Sequence, residues 1–254
     1  MPDSGATGGS TGLVQDQASG LRALFRDVPT QWTLVVQPSV RCEQLPENLA
    51  RRARLLAEQG GATLLIDAAR TQVAATLGLR LRYDVAHAMA GDCDIGEVCM
   101  SGGESLWVMP AARAWDLAAE DEQYGARLGA ACAAMSTGMR NGVLVVPAAR
   151  IACLRYLPEE MRVRQALVPV SHGSEYGSAV LTAIRLAASE AGIDTFHLLF
   201  LGMSGAAAGR LLSGMAAIAK RHFGATLLAA PQFPNAKAAP RRAVAGNGPV
   251  ENVS

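Results

Sequence analysis

The sequence predicts an α/β fold, a mostly parallel sheet with helices on both faces, and three observations carry the prediction. Short β-branched apolar runs alternate with segments of helical periodicity along most of the chain. Glycine, proline and aspartate stand where helices should start or stop. The apolar runs read as buried strands, which is what a sheet covered on both faces requires. At 254 residues and 50% hydrophobic content, one domain with tails has enough apolar mass for a full core.

In chain order, residues 1–12 are rich in Gly, Ser and Thr and are expected to be disordered. Residues 13–28 form the next unit, in which Leu13, Ala18, Leu21, Leu24 and Phe25 give a short helix one apolar face, joined through Asp27-Val-Pro29 to the first strand. It is either a tail helix docking on its own domain or a detachable recognition helix. The α/β domain is expected over 29–235. Trp32–Val36 is its first strand, Gln37–Gln44 a loop, and Leu45–Gln59 a helix with Leu45, Leu49, Ala53 and Leu56 at helical spacing. Gly60-Gly61 stops that helix, because glycine takes the left-handed dihedrals of a helix exit. Ala62–Asp67 is a buried strand ending in a carboxylate.

Beyond Asp67 the spacing predicts a helical turn or two over Gln72–Leu77. Asp84 should cap a helix through Ala90 that Gly91 ends, and Asp94 should cap another to Met100. Ser105–Met109 reads as strand with its exit at Pro110, Ala118–Met135 as one long helix, and Gly142–Val146 as strand. An arginine-studded stretch, Ala148–Arg164, follows. Gln165–Val170, Thr195–Leu201 and Ala225–Leu228 read as strands, Tyr176–Ala191 and Ala206–His222 as helices. Residues 236–254 read as a flexible tail, with Pro240, Pro249 and almost no large apolar side chain, so they cannot present an interfacial helix.

Composition excludes several classes. A net charge of +1 gives no reason to expect direct nucleic-acid binding. No apolar run reaches the roughly 18 residues a membrane span needs, and the start lacks a signal peptide's pattern, so a cytoplasmic protein is expected. Five cysteines without a C-x-x-C pair and four scattered histidines argue against a disulfide framework or a metal centre. Only Lys220 and Lys237 stand against 21 arginines, and neither follows a glycine at the opening of a helix.

Two pieces together carry a resemblance. The order strand, loop, helix, Leu64-Leu-Ile-Asp-Ala68, then Leu77-Gly-Leu-Arg-Leu-Arg-Tyr83 and a short helix ending Ala90-Gly-Asp-Cys93, resembles the MinD/ParA group of deviant P-loop ATPases. Asp16-Gln-Ala-Ser-Gly-Leu-Arg22 resembles the D-Q-A-x-x-L-R segment of the FlhG (FleN) branch, MinD-like regulators of flagellar number. The resemblance implies a P-loop NTPase architecture and ATP with magnesium as the family's cofactor. It puts the family's phosphate loop on Val36–Glu43, with Gln37 and Cys42 at its two lysines, Glu43 at its magnesium-binding hydroxyl, and Asp67 as the surviving acid after the second strand. Ala69 stands where a second acid is expected, and Val145-Val-Pro147 where the family has an aspartate. Since neutral glutamine and cysteine do not replace two cations facing a triphosphate, the expectation is a pseudo-ATPase with no cofactor, a regulator rather than an enzyme.

The same resemblance implies that Asp16, Gln17, Ala18, Leu21 and Arg22 bind and stimulate an FlhF-type signal-recognition GTPase. Gln17 would orient the attacking water, because a carboxamide can do so without titrating. Flagellar switch components or a flagellar transcriptional activator are further expected partners, and a partner would recruit the protein to the inner membrane or cell pole. The competing readings are a non-catalytic MinD-like scaffold or transcription antiactivator, and a serine hydrolase. The last rests on Gly202-Met-Ser-Gly-Ala206, close to a G-x-S-x-G elbow with Ser204 as nucleophile. His172-Gly-Ser-Glu175 reads as a polar loop at the sheet's carboxyl edge.

Overall fold

A computed structural model describes residues 30–59 and 61–230. The expectations for 1–12, 13–28 and 236–254 therefore lie outside the described residues. Eight strands form one sheet: β1 (Gln31–Gln37), β2 (Thr63–Asp67), β3 (Met100–Gly103), β4 (Leu106–Pro110), β5 (Asn141–Pro147), β6 (Gln165–Val170), β7 (Thr195–Phe200) and β8 (Thr226–Ala229). Their order is β3-β4-β2-β5-β1-β6-β7-β8, parallel throughout except for β3 against β4. The α/β expectation is met.

The helices are α1 (Leu45–Glu58), α2 (Val73–Thr76), α3 (Val85–Ala90), α4 (Ile95–Val98), α5 (Ala112–Glu120), α6 (Glu122–Ser136), α7 (Ser174–Ala191) and α8 (Gly205–Phe223). Asp84 and Gly91 bound α3 as expected, the glycine at φ 85°. The long helix expected over Ala118–Met135 is instead α5 and α6. Asp121 leaves the helical region at φ −136° and turns its carboxylate onto the amides of Gln123 and Tyr124, restarting the helix. Ala148–Tyr156 winds as 3-10 helix, and Met100–Gly103 forms an antiparallel edge strand that the periodicity did not foreshadow.

Each face of the sheet has its own core. On one, α5, α6, the 3-10 segment, α7 and α8 enclose Trp115, Phe196, Leu144 and Ile151, all fully buried. On the other, α1 and α2 press Leu45, Leu49, Ala53 and Val73 onto Val35, Leu65, Val143 and Val145. This second cover does not extend across the sheet. Register aligns Val35, Leu167, His197 and Leu228 in one row across β1, β6, β7 and β8. Along that row exposure climbs from 1% at Val35, through half-buried Leu167 and His197, to 43% at Leu228.

Candidate functional site

β1 ends at Gln37 and β2 at Asp67, with β5 between them. After β1 the chain turns into α1 on one side of the sheet's switch in strand order. The loops that follow β1 and β2 therefore face each other above the carboxyl ends of the strands, where open α/β sheets present ligand crevices. Between them lies a cleft of about 360 Å³ lined by Gln37, Arg41, Cys42 and Glu43 from the first loop and Arg70, Thr71 and Gln72 from the second. Three of the four residues singled out in the sequence, Gln37, Cys42 and Glu43, are thus brought together.

Their roles differ. Gln37 is 9% exposed and lines the cleft, and its Oε1 has no hydrogen-bond partner among the described residues, a costly state for a buried carboxamide. Cys42 is buried in the α1 core, where desolvation pushes its thiol up while hydrogen bonding to the Gln44 backbone and to Ser171 works against it. Glu43 is exposed. The loop is pinned from above by Tyr176 near the start of α7, whose hydroxyl donates to the Arg41 carbonyl. Gln44 rests on Gly202, whose φ of +68° favours glycine at this turn; a Cβ there would displace only the flexible end of the Gln44 side chain.

Asp67 is not a free acid facing the cleft. Its Oδ1 accepts from the amides of Ala69 (3.0 Å) and Thr71 (3.2 Å), and its Oδ2 from the Thr71 amide (2.9 Å) and hydroxyl (2.8 Å). The carboxylate shapes the 68–72 turn, in which Arg70 (φ 53°) and Gln72 (φ 69°) take left-handed conformations. Burial raises the Asp67 carboxyl from its ordinary range, with the Thr71 and backbone hydrogen bonds opposing. With both oxygens engaged, Asp67 does not fit a magnesium ligand in this arrangement. Among the described residues no group of three or more His, Cys, Asp or Glu is placed to hold a metal ion.

Sequence reasoning missed the arginines. Arg41, Arg70 and Gln72 also line a second, adjoining cleft of about 580 Å³, with Arg82, Arg113 and Tyr83. Arg70 is held by Asp116 at 2.8 Å, and Asp116 also faces Arg150 at 3.7 Å, so one carboxylate of α5 ties the turn after β2 to the 3-10 segment after β5. Asp84, the other acid in this cleft, spends its carboxylate on the amides of Ala86, Arg113 and Ala114. Arg41, Arg82 and Arg113 present exposed guanidinium groups to the clefts, but exposed Glu43 lines the first and Asp116 pairs with Arg70, so both signs of charge are present. The only signal for this in the sequence was arginine just after strand or loop positions. Its significance needed the strand order.

Ser204 caps α8, its hydroxyl accepting from the Ala207 amide at 3.4 Å, and its backbone is ordinary at φ −70°, ψ 150°. A nucleophile elbow would hold the serine in a strained turn. His172 pairs through Nε2 with the Gly202 carbonyl. These contacts make Ser204 a helix cap, and the serine-hydrolase expectation finds no geometric support. Asp16, Gln17, Ala18, Leu21 and Arg22 lie outside the described residues.

No protein-family model and no curated protein sequence matches the chain. Solved structures do. The chain is similar to the MinD cell division protein of Aquifex aeolicus at 17% identity and TM-score 0.54, covering 79% of this chain and 82% of that one. It is similar to a variant of Cyanothece McdA in complex with ATP at 15% identity and TM-score 0.57, again over 79% and 82%. A third is cobyrinic acid a,c-diamide synthase from Mycobacterium smegmatis with bound ADP and magnesium, at 16% identity and TM-score 0.55 over 79% of this chain and 86% of that one. At these identities the likeness is one of fold: the chain has the MinD/ParA P-loop NTPase architecture.

The comparison corrects one expectation. A pseudo-ATPase, and no enzyme, is what the sequence led us to expect, yet two of the solved structures that share this fold hold ATP or ADP, so the expectation is not upheld. The argument from neutral Gln37 and Cys42 also omitted Arg41 and Arg70, which line the same cleft beside Glu43, with Arg70 paired to Asp116. Loss of lysine from Gln37–Gln44 is a fact of the sequence and does not establish loss of activity. Among the described residues no helix is long and apolar enough to cross a membrane.

Proposed function

We propose that this chain is a regulator of flagellar number or placement of the FlhG kind, whose Asp16–Arg22 segment binds and stimulates an FlhF-type GTPase. The supporting observation is that Asp16-Gln-Ala-Ser-Gly-Leu-Arg22 precedes, by a short linker, the first strand of a MinD/ParA-like sheet. In this reading Leu21 docks on an apolar patch of the GTPase, Asp16 and Arg22 make polar contacts, and Gln17 orients the water that attacks the γ-phosphate. A carboxamide suits that task, because it donates and accepts at once and stays neutral at any physiological pH. Flagellar switch components or a flagellar transcriptional activator are partners for the folded domain, and recruitment to membrane or pole runs through a partner.

The test is the GTP hydrolysis rate of the FlhF-type protein alone, with the full chain, and with a peptide spanning Leu13–Phe25. Stimulation by both is expected. Gln17→Ala should lose stimulation, about tenfold or more by analogy with other water-positioning residues, while binding persists. Binding without any stimulation by wild type would leave a scaffold and remove the activator reading.

A further inference from the structure

The face of the sheet beside α1 is only partly covered at the amino-terminal halves of β6 and β7 and at β8, whereas Pro169 and Leu199 further along are buried. A trough of about 230 Å³ runs there, lined by Trp32, Thr33, Arg52, Leu167, His197 and Ala230 among others. Leu167 and His197 line its floor, and the row continues beside it to exposed Leu228, which points this way because its neighbour Leu227 is packed in the core on the opposite face. Beside that row lies a polar one, Gln165, Thr195 and Thr226, aligned across β6, β7 and β8, and Thr33 of β1 lines the trough with Gln165. Within the trough His197 Nε2 pairs with Gln165 Oε1 at 3.3 Å, and Arg52 donates to Thr33 Oγ1 at 3.4 Å. The site is thus an apolar groove with one polar flank.

We infer that residues 13–25 of the same chain occupy this trough as a helix and thereby conceal Gln17. The attachment point favours it, since Trp32 and Thr33 line the trough and stand two and three residues from Thr30, where the described chain begins. Residues 26–29 span up to about 13 Å when extended, enough to fold the helix back. A thirteen-residue helix is about 20 Å long, and the three steps from β1 to β8 measure about 14 Å, so the helix covers the open strands. At 100° per residue Leu13, Gln17, Leu21 and Leu24 fall on one stripe, which gives an apolar face with one carboxamide in it. That pattern matches the groove, with Gln17 meeting the Gln165–His197 polar flank while the leucines meet Leu167 and Leu228.

The other segment within reach, residues 231–254, offers Phe233 and three valines spread among four prolines, a poor match to an apolar strip of this length. The functional consequence rests on the proposed activating role of Gln17, whereas the docking itself does not. Docked, the glutamine is withheld, and a partner that binds the helix must first compete it off the sheet.

Amide hydrogen exchange on the full chain tests this without the GTPase. Backbone amides of 13–25 should exchange at least tenfold more slowly in the chain than in the free Leu13–Phe25 peptide. Leu228→Glu beside the trough, and separately Leu21→Glu in the segment, should each abolish that protection while exchange in α5 and α6 stays unchanged. Leu21 lies outside the described residues and outside the trough, so Leu21→Glu keeps the test valid if Leu228→Glu disturbs β8. Free-peptide exchange of 13–25 in the wild type overturns the inference. So does trough protection that survives Leu21→Glu but vanishes in a chain ending at Ala230, which would make the C-terminal segment the occupant. If the helix is docked about 90% of the time, Leu228→Glu should raise the apparent affinity for the GTPase about tenfold. Stimulation without docking would sink this inference alone, and docking without stimulation would sink only the activator reading.

Discussion

Replacing Asp67 separates a residue that builds the site from one that does chemistry in it. Asp67→Ala removes the acceptor for the amides of Ala69 and Thr71 and the Thr71 hydroxyl. Hydrogen bonds to a charged acceptor contribute about 1.5–3 kcal/mol each, and burial of the carboxylate, which raises its pKa, offsets part of that sum. A net loss of about 3 kcal/mol follows, or about 6–12 °C in Tm for a domain of this size. Asp67→Asn keeps one acceptor oxygen but turns an NH2 toward the Thr71 amide, so it should cost less, about 1–2 kcal/mol. Urea and thermal melts followed by circular dichroism measure both. The pH dependence has a defined sign. Because the folded pKa is raised above the ordinary 3.8, the folded state holds the proton more tightly than the unfolded chain. Wild-type stability relative to Asp67→Asn is therefore greatest below 3.8 and declines as pH rises through the folded pKa, the reverse of a salt-bridged carboxylate. A loss under about 0.5 kcal/mol for Asp67→Ala would refute the structural role argued here, and a difference that grows with rising pH would show that the hydrogen bonds outweigh burial and that the carboxyl is not raised.

Three further substitutions probe the frame. Asp84→Ala should cost about 2–3 kcal/mol in a urea melt, since one carboxylate caps α3 through Ala86 and α5 through Arg113 and Ala114; a loss no larger than that of a single cap would show that the two ends are independent. Gly129→Ala places a Cβ 2.0 Å from the Tyr156 carbonyl oxygen, so α6 must move off the 3-10 segment, and a loss of about 2 kcal/mol or more should appear despite alanine's better helix propensity. Ser204→Ala should lower stability by about 1 kcal/mol through the lost cap, and the wild-type protein should take up no fluorophosphonate; labelling at Ser204 would restore the hydrolase reading.

What the sequence disclosed and what it hid have physical reasons. Strand and helix alternation, the Asp84 start and the Gly91 stop were legible because each depends on neighbours within a few residues. β3 was not, since Met100-Ser-Gly-Gly103 has no apolar pattern and exists as a strand only by pairing with β4. The break at Asp121 was masked by alanines and leucines that continue the helical period on both sides of it. At the site, Gln37, Cys42 and Glu43 could be grouped because they share one short loop. The meeting of Arg41 with Arg70, and the tie from Asp116 to both Arg70 and Arg150, depend on strands that lie far apart in the chain. Asp67 was visible as an acid at a strand end, but its use as a turn former followed from amides whose directions only the folded backbone defines.

The position of β5 carries a consequence for how the chain is made. β1 and β2 follow each other in sequence yet never touch, because Asn141–Pro147 lies between them and bonds to both. During synthesis the amino-terminal half leaves the ribosome with two apolar strands that lack their shared neighbour. β2 gains β4 on one edge once residue 110 has emerged, but β1 and the other edge of β2 have no strand partner until β5 is complete at residue 147, and long-range parallel pairing of this kind is slow. The nascent chain thus passes through an obligatory interval of exposed strand edges, and productive folding depends on whatever keeps those edges apart until the seventh residue of β5 arrives.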